Sequence, residues 1–404
     1  ENRFNISILR DFALPDKHFG RPYIISGEQH PDAHIDKKIN YSSTVRSIKT
    51  IFNFYDDIWT KYPPSLLLTY SGVAGMKRGI ASCFARDGNI PERYLFSARR
   101  SGYFYWGDDS YQSSKFIVRK FHEQPLPPYD KALALVNEIE VNVLASKKMR
   151  SIFEQKLSFY NIICSTAKFY TVKIYQIVLR KNRVKWGYKG ISILMSLLRA
   201  RKDLRWLKKY SCTLSKIPKN YKKVFFPLQQ DPEQTTYVYA PYSTNQYEII
   251  RELSLSVPSN AVILVKEHLW ALGRRENGMY SRIRNLPNVY ILGIDIESKD
   301  IIPEVDLVCS ISSSFAHEAA MLGKRTLIFD KNTPLNVLPH VSTINSTGDL
   351  SIVRNILDNE SDTDRYDRVI NSARYINTIY ENMSKFDGDV FSKNSQYNYP
   401  FVID

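Results

Sequence analysis

The sequence predicts an α/β protein of two doubly wound domains, and three observations carry that prediction. The chain has 404 residues, about twice what one ordinary domain of 100–150 residues holds. Both halves alternate short apolar runs with stretches of helical spacing. The apolar runs of the second half are continuous rather than alternating, the pattern of strands buried on both faces of a parallel sheet.

In the first half, Arg21–Ser26 predicts a short strand that ends in the polar turn Gly27-Glu28-Gln29-His30. Ser43–Lys61 has helical spacing, with Val45, Ile48, Ile51, Phe52, Phe54 and Tyr55 on one broad apolar face, and Pro63-Pro64 stops it. Ser65–Tyr70 is a buried strand. Gly72 and Gly75 then open a loop into a helix through Ile80–Ala85, which Asp87-Gly88-Asn89 ends before the strand Tyr94–Ala98. Strand, glycine turn, helix and strand make a βαβ unit, and its repetition implies a parallel sheet covered by helices. Asp130 to about Tyr210 reads as mostly helical, and Pro218 among polar neighbours reads as a linker.

The second half gives five strands: Lys223–Leu228, Ala261–Lys266, Val289–Leu292, Asp306–Ser310 and Thr326–Phe329. Helices are expected at Asn245–Leu253 and Phe315–Leu322, the latter capped by Gly323, with a final helix over about Thr363–Met383 before a polar tail. Five short apolar strands with helices between them describe a Rossmann-like nucleotide-binding domain. The boundaries expected are 1–215 for an N-terminal Rossmann-like domain carrying a helical basic insertion at about 130–215, 222–375 for the C-terminal Rossmann-like domain, and 376–404 for the helix end and tail.

Charge is concentrated. The formal net charge is +15, and Arg180–Lys223 contains 15 Lys plus Arg against the single acid Asp203. The rest of the chain is close to neutral, which argues against nucleic acid as a partner. The basic stretch fits a solvated helical face, an acidic glycan or, as the partner expected beyond the substrates, the anionic lipids of an inner leaflet. The four cysteines are scattered without metal-ligand spacing, so reduced thiols and a cytoplasmic location are expected. No apolar run has the length of a membrane span, and the first residues lack the pattern of a signal peptide. The expected location is thus cytoplasmic, peripheral on the inner membrane.

Ligands of an open parallel sheet sit beyond the carboxyl ends of its strands. Three polar clusters fall there: Gln229-Gln230-Asp231-Pro232-Glu233, then Glu267-His268, then Ser312-Ser313-Ser314 at a helix start. Hydroxyls and free amides at a helix N-terminus bind anions, although a serine there also serves as a plain N-cap. Glu318, one turn into that helix, is a candidate acceptor for a ribose or base hydroxyl, or a solvated residue. His268 can donate to a phosphate, and protonation would strengthen that bond. Lys266 adds charge, with alternation setting its side chain opposite Glu267. His317 reads as packing.

The order of these motifs, PLQxDPE, then VKEH, LPNVYIL and SSSFAHEAAMLGKRTLIFD, resembles the capsule polysaccharide biosynthesis family, which includes Kdo transferases of capsule and lipopolysaccharide assembly. It is similar also to the wider set of GT-B sialyl- and Kdo-transferases whose His-Pro and Ser-Ser motifs bind CMP. The resemblance covers about Val224–Asp330. It implies a GT-B fold, two Rossmann-like domains facing a central cleft. It implies a metal-independent glycosyltransferase with no cofactor beyond its nucleotide-sugar donor, CMP-linked and Kdo-like, acting on a glycan or glycolipid acceptor. His268 matches the His-Pro histidine and Ser312–Ser314 the serine motif. Leu269 stands where the family has proline.

The catalytic candidates of the first half are Asp108 and Asp109, after the aromatic run Tyr103-Phe104-Tyr105-Trp106. A carboxylate beside aromatic sugar platforms can orient or deprotonate an acceptor hydroxyl, although two aspartates there also make an ordinary turn between strands. Arg99 and Arg100 could hold a sugar carboxylate or equally serve surface or structural pairing, and Glu28 with His30 form a second candidate pair. Asp295-Ile296-Glu297 has carboxylate spacing without the strand-end setting of a metal site, so no metal is expected. The alternatives are a GT-B-type nucleotide-sugar epimerase and a non-catalytic module that binds polyanions or membranes.

Overall fold

The computed structural model describes residues 4, 41–70, 76–98, 100, 103–108, 114–139, 147–179, 190–230, 236, 239–240, 243–330, 332–359 and 362–385. The expected strand at Arg21–Ser26, the Glu28 and His30 pair, Gly72, Gly75, Arg99, Asp109 and Asp231-Pro232-Glu233 lie outside the described residues, as does part of the basic stretch.

The first half opens with α1 (Tyr41–Lys61), β1 (Leu67–Tyr70), α2 (Met76–Asp87) and β2 (Glu92–Ser97). β1 and β2 are parallel, with Leu67 opposite Glu92, as a βαβ unit requires. The next strand, β3 (Tyr103–Gly107), runs antiparallel to β2, where continued parallel pairing was expected. The connection is too short for a crossover, which takes about a dozen residues, so the chain has to turn back. Helices α3 (Lys115–Glu123), α4 (Tyr129–Asn137), α5 (Lys147–Lys156), α6 (Phe159–Leu179) and α7 (Gly190–Tyr210) follow.

The second half is doubly wound. Its elements are β4 (Lys222–Pro227), α8 (Gln246–Ser256), β5 (Ala261–Lys266), α9 (Met279–Arg284), β6 (Val289–Ile291), β7 (Leu307–Ser310), α10 (Ser314–Met321), β8 (Arg325–Ile328) and β9 (Val341–Thr343). All pairs are parallel, in the order β6-β5-β4-β7-β8-β9. Numbered from β4, that is the strand order of a dinucleotide-binding sheet. Successive side chains part to opposite faces. Val224, Phe226, Ile263, Val265 and Cys309 pack with Ile249, Ile250 and Leu253 of α8. Phe225, Val262, Leu264 and Val308 pack with Ala319 of α10. Burial on both faces is why these strands read as continuous apolar runs. The sixth strand, β9, has no such run and was not expected.

The end of the chain rejoins the first sheet. After α11 (Ile352–Asp358), helix α12 (Asp362–Glu381) packs on α3 and α4, and β10 (Met383–Lys385) pairs antiparallel with β3. Arg374 donates to the carbonyls of Gln124 at 2.7 Å and His122 at 2.9 Å. Tyr129 stacks on Tyr366 with ring centroids 4.5 Å apart. One core unites Tyr94, Phe96 and Tyr105 with Phe121, Tyr375 and Ile376, and with Ala316 and Ala320 of α10.

Candidate functional site

Strand order reverses between β4 and β7, because β4 leads outward to β5 on one side and β7 to β8 on the other. In open parallel sheets the loops at such a reversal diverge and make the usual ligand crevice. A chain of hydrogen bonds joins the strand ends there. Buried Gln229, just past β4, donates from Nε2 to Ser310 Oγ at 3.1 Å, and Ser310 Oγ donates to Ser313 Oγ at 2.7 Å. Ser313 is the N-cap of α10, its hydroxyl oxygen accepting the Ala316 N–H at 3.2 Å. The Gln229 backbone is held in turn: Gln246 Oε1 accepts its N–H at 2.7 Å, and Gln246 Nε2 donates to its carbonyl at 3.1 Å.

The three serines thus have three settings. Ser312 is buried and donates to Asp330 Oδ2 at 2.9 Å. Ser313 caps. Ser314 is exposed at the first turn of α10, where the leading amides have no intrahelical acceptor. Asp330, past the end of β8, is also bound by the Asn332 N–H at 2.9 Å. Burial pushes its carboxyl up to about 6, against the two hydrogen bonds that favour its ionised form.

The loop after β5 forms the adjoining wall and rests on a buried ion pair. Arg275 donates to Glu267 from Nε at 2.9 Å and from Nη2 at 2.7 Å, and Nη2 also reaches the Gln229 carbonyl at 2.6 Å. Side-chain exposure is 6% for Arg275 and 1% for Glu267. Tyr280 Oη adds a donor to Glu267 at 2.8 Å and the His268 N–H another at 2.6 Å. Burial pushes the Glu267 carboxyl up, but Arg275 and these donors outweigh it and hold the group below the ordinary carboxylate range. The same guanidinium therefore ties the ends of β4 and β5 together.

His268 follows with its side chain exposed. Desolvation by the surrounding protein lowers its pKa, with the Arg275 charge adding to that and the Glu267 charge opposing it. Leu269 opens a 3₁₀ turn and is buried in the core. Gly273 (φ +81°) lies where a Cβ would sit 2.5 Å from the Ser196 carbonyl oxygen of α7, and its N–H donates to Asp203 Oδ2 at 2.9 Å. The basic helix is thus fastened to the His268 loop.

Lys266 is turned the other way. Burial and the nearby Arg150 charge bring its ammonium down to about 8, with Glu267 and Asp295 opposing, and Arg150 itself donates to the Asp295 carbonyl at 2.9 Å. Glu318 is buried rather than on a solvated face, and His317 Nδ1 lies 3.4 Å from the Ser313 carbonyl. Among the described residues no three His, Cys, Asp or Glu side chains cluster as a metal site. Glu297 pairs with Lys299 at 3.0 Å.

Asp108 is exposed just beyond β3. Gly107 pairs with Tyr94, so Asp108 lies at the edge of the sheet where β2 begins, opposite the carboxyl edge of β1 and β2. No hydrogen bond or ion pair among the described residues joins it to the strand-end cluster. Of its aromatic run, Tyr105 is core and Trp106 is exposed. The Arg100 guanidinium stands 4.9 Å from the Tyr103 ring and 5.2 Å from the Tyr380 ring, bridging the first sheet to α12.

Sequence reasoning missed Ser310, Gln246, Arg275, Tyr280 and Asp330. Asp330 carried a signal, since it ends the strand TLIF as His268 follows AVILVK. Arg275 carried none, because only the folded loop sets it beside Glu267.

No protein-family model matches the chain, and no curated protein matches it. Solved structures similar to it include KpsC, a beta Kdo 2,4 transferase of Thermosulfurimonas dismutans, at 13% identity and a TM-score of 0.33, over 76% of this chain and 79% of that one. Another is a UDP-GlcNAc 2-epimerase from Neisseria meningitidis bound to UDP-GlcNAc, at 11% identity and a TM-score of 0.32, over 83% of this chain and 79% of that one. S. aureus MnaA with UDP aligns at 9% identity and a TM-score of 0.32, over 82% and 77%. Likeness at this level assigns no activity to the chain.

Proposed function

We propose that the chain is a GT-B glycosyltransferase that moves a sugar from a nucleotide-activated donor, CMP-linked and Kdo-like, to a growing bacterial capsule or lipopolysaccharide glycan. The observation that carries this reading is the hydrogen-bond chain Gln229–Ser310–Ser313 across the reversal of strand order. It fixes the start of α10 so that the Ser314 hydroxyl and the leading amides meet a phosphate without reorganising. His268, exposed, adds a donor from the neighbouring loop.

In the reaction, the bond between the anomeric carbon and the phosphate oxygen breaks and the nucleotide leaves with its electron pair. The acceptor hydroxyl oxygen forms the new bond, and its proton passes to a base. The donors at α10 stabilise the charge that develops on the leaving phosphate. The base is proposed at Asp108 or Asp109, on the strength of the aromatic run alone.

The test is thermal unfolding with CMP, CDP, UDP, UMP, GDP and ADP. A ligand at about 100 times its Kd stabilises the folded state by about 2.7 kcal/mol. A shift specific to CMP that falls with Ser314→Ala and with His268→Ala is expected, together with acceptor-dependent sugar transfer lost in the Asp108→Asn/Asp109→Asn variant. A shift specific to UDP with donor turnover in the absence of acceptor would replace transfer by epimerisation. No shift with any nucleotide would remove the enzyme reading.

A further inference from the structure

Outside the nucleotide crevice, α6 and α7 form a hairpin with two unusual surfaces. Along α6, Tyr160, Ile163, Ala167, Tyr170 and Ile174 recur at intervals of three and four and are all exposed, Tyr160 at 75%, Ile163 at 51% and Ile174 at 60%. With Cys164 and Thr171 they occupy an arc of about 120° at 100° per residue, and that arc holds no charge. At its base is a cavity of about 510 Å³ lined by Phe159, Leu198, Arg201, Lys202 and Arg205.

The charges of the cavity are not cancelled locally. Asp203, the sole acid of α7, faces inward and accepts the Gly273 N–H at 2.9 Å. Arg201 uses one nitrogen on the Leu157 carbonyl at 2.6 Å. Among the described residues no salt bridge engages Arg199, Lys202 or Arg205. A helix that bears an apolar stripe beside cationic side chains suits one surface above others, a bilayer whose headgroups are anionic and whose interior is apolar. Guanidinium groups match phosphate oxygens in geometry as well as charge. No helix among the described residues is long and apolar enough to cross a membrane.

We infer that the α6–α7 hairpin docks the protein on bilayers containing anionic phospholipids, with a headgroup phosphate seated among Arg201, Lys202 and Arg205 and the Tyr160–Ile174 stripe buried at the acyl boundary. Because Gly273 and Asp203 fasten α7 to the His268 loop, docking sets the nucleotide crevice at a fixed height above the membrane. That arrangement suits an acceptor held in the same bilayer. The docking inference itself stands on the hairpin and not on the transfer reaction.

The experiment is sedimentation of the full chain with vesicles of phosphatidylcholine alone or with about 30 mol% phosphatidylglycerol at about 0.1 M salt, where surface charges still act over ~10 Å. The anionic vesicles are expected to bind at least about tenfold more protein. The Lys202→Glu/Arg205→Glu variant is expected to lose about tenfold in binding or more. Ile163→Ser/Ile174→Ser is expected to weaken binding at unchanged charge. Both pairs are surface changes, so the unfolding temperature and any nucleotide-induced shift should match the parent. Equal binding to both vesicle types, or to neither, overturns the inference. So does parent binding that ignores a rise to about 0.5 M salt, a measurement needing no variant. Sedimentation velocity adds a further outcome: if the isoleucine variant dissolves a dimer and leaves vesicle binding intact, the stripe is a self-association face and the inference fails.

Discussion

Replacing Arg275 with Met is expected to cost far more than an average substitution. Among the described residues the guanidinium makes three hydrogen bonds, two to Glu267 and one to the Gln229 carbonyl. With it gone, Glu267 stays in place at 1% side-chain exposure with only Tyr280 and the His268 N–H to stabilise its charge. Orphaning one member of a buried ion pair costs about 3–5 kcal/mol. For a unit of about 150–250 residues each kcal/mol is worth about 2–4 °C, so the unfolding temperature should fall by roughly 6–20 °C. The assay is thermal unfolding by circular dichroism with the far-ultraviolet spectrum as a check on folding. The deficit should also depend on pH. In the parent, Glu267 is held below the ordinary range, so its contribution is present above the unfolded pKa and disappears as pH falls through the lower folded value. In the variant burial dominates and raises that carboxyl, so protonation relieves the strain and the deficit shrinks between pH 8 and pH 5. The double change Glu267→Gln/Arg275→Met removes both charges and should recover most of the loss. An Arg275→Met protein less than about 2 °C below the parent, or a deficit that grows in acid, would refute the view that this pair clamps the ends of β4 and β5.

Other expectations follow from the same loops. Ser310→Ala removes a hydroxyl that accepts from the buried Gln229 amide and should cost about 1–3 kcal/mol, and on the proposed reading it should weaken nucleotide binding alongside. Gly273→Ala places a Cβ 2.5 Å from the Ser196 carbonyl oxygen at φ +81° and should cost at least about 2 kcal/mol in urea unfolding. Burial raises Asp330 from 3.8 to about 6 and lowers His340 from 6.5 to about 4. An acid with a raised folded pKa loses stability as pH rises through that value, and a base with a lowered one loses it as pH falls, so the two oppose between pH 4 and 6. Asp330→Asn should therefore unmask a rise in stability of about 3 kcal/mol between pH 4 and 6.5. A flat profile in that variant would show that His340 is not held neutral.

Some of the molecule was legible in advance. Strands buried on both faces announced themselves as continuous apolar runs, and AVILVK, VYIL and DLVCS all proved to be parallel strands of one sheet. The helix at the end of the basic stretch and the places of His268 after a strand and of Ser312–Ser314 at a helix start were equally readable, because period and punctuation are local properties. The edge strand β9 and the returning strand β10 were not. Val341–Thr343 and Met383–Lys385 are three residues each with little apolar pattern, and a strand that short exists only because a neighbour supplies its hydrogen bonds.

The chain by itself determined which segments are strands and helices, where polar groups cluster at strand ends, and where positive charge gathers. Tertiary structure alone decided that Ser313 caps and Ser312 binds Asp330 while Ser314 stays exposed. It also decided that Arg275 clamps two strands, and that Asp108 lies at the edge where β2 begins. The reason is physical. Periodicity and turn chemistry act between residues a few positions apart, whereas the partner of a hydroxyl or a guanidinium is set by which strands lie side by side, and that order is fixed only when the sheet assembles.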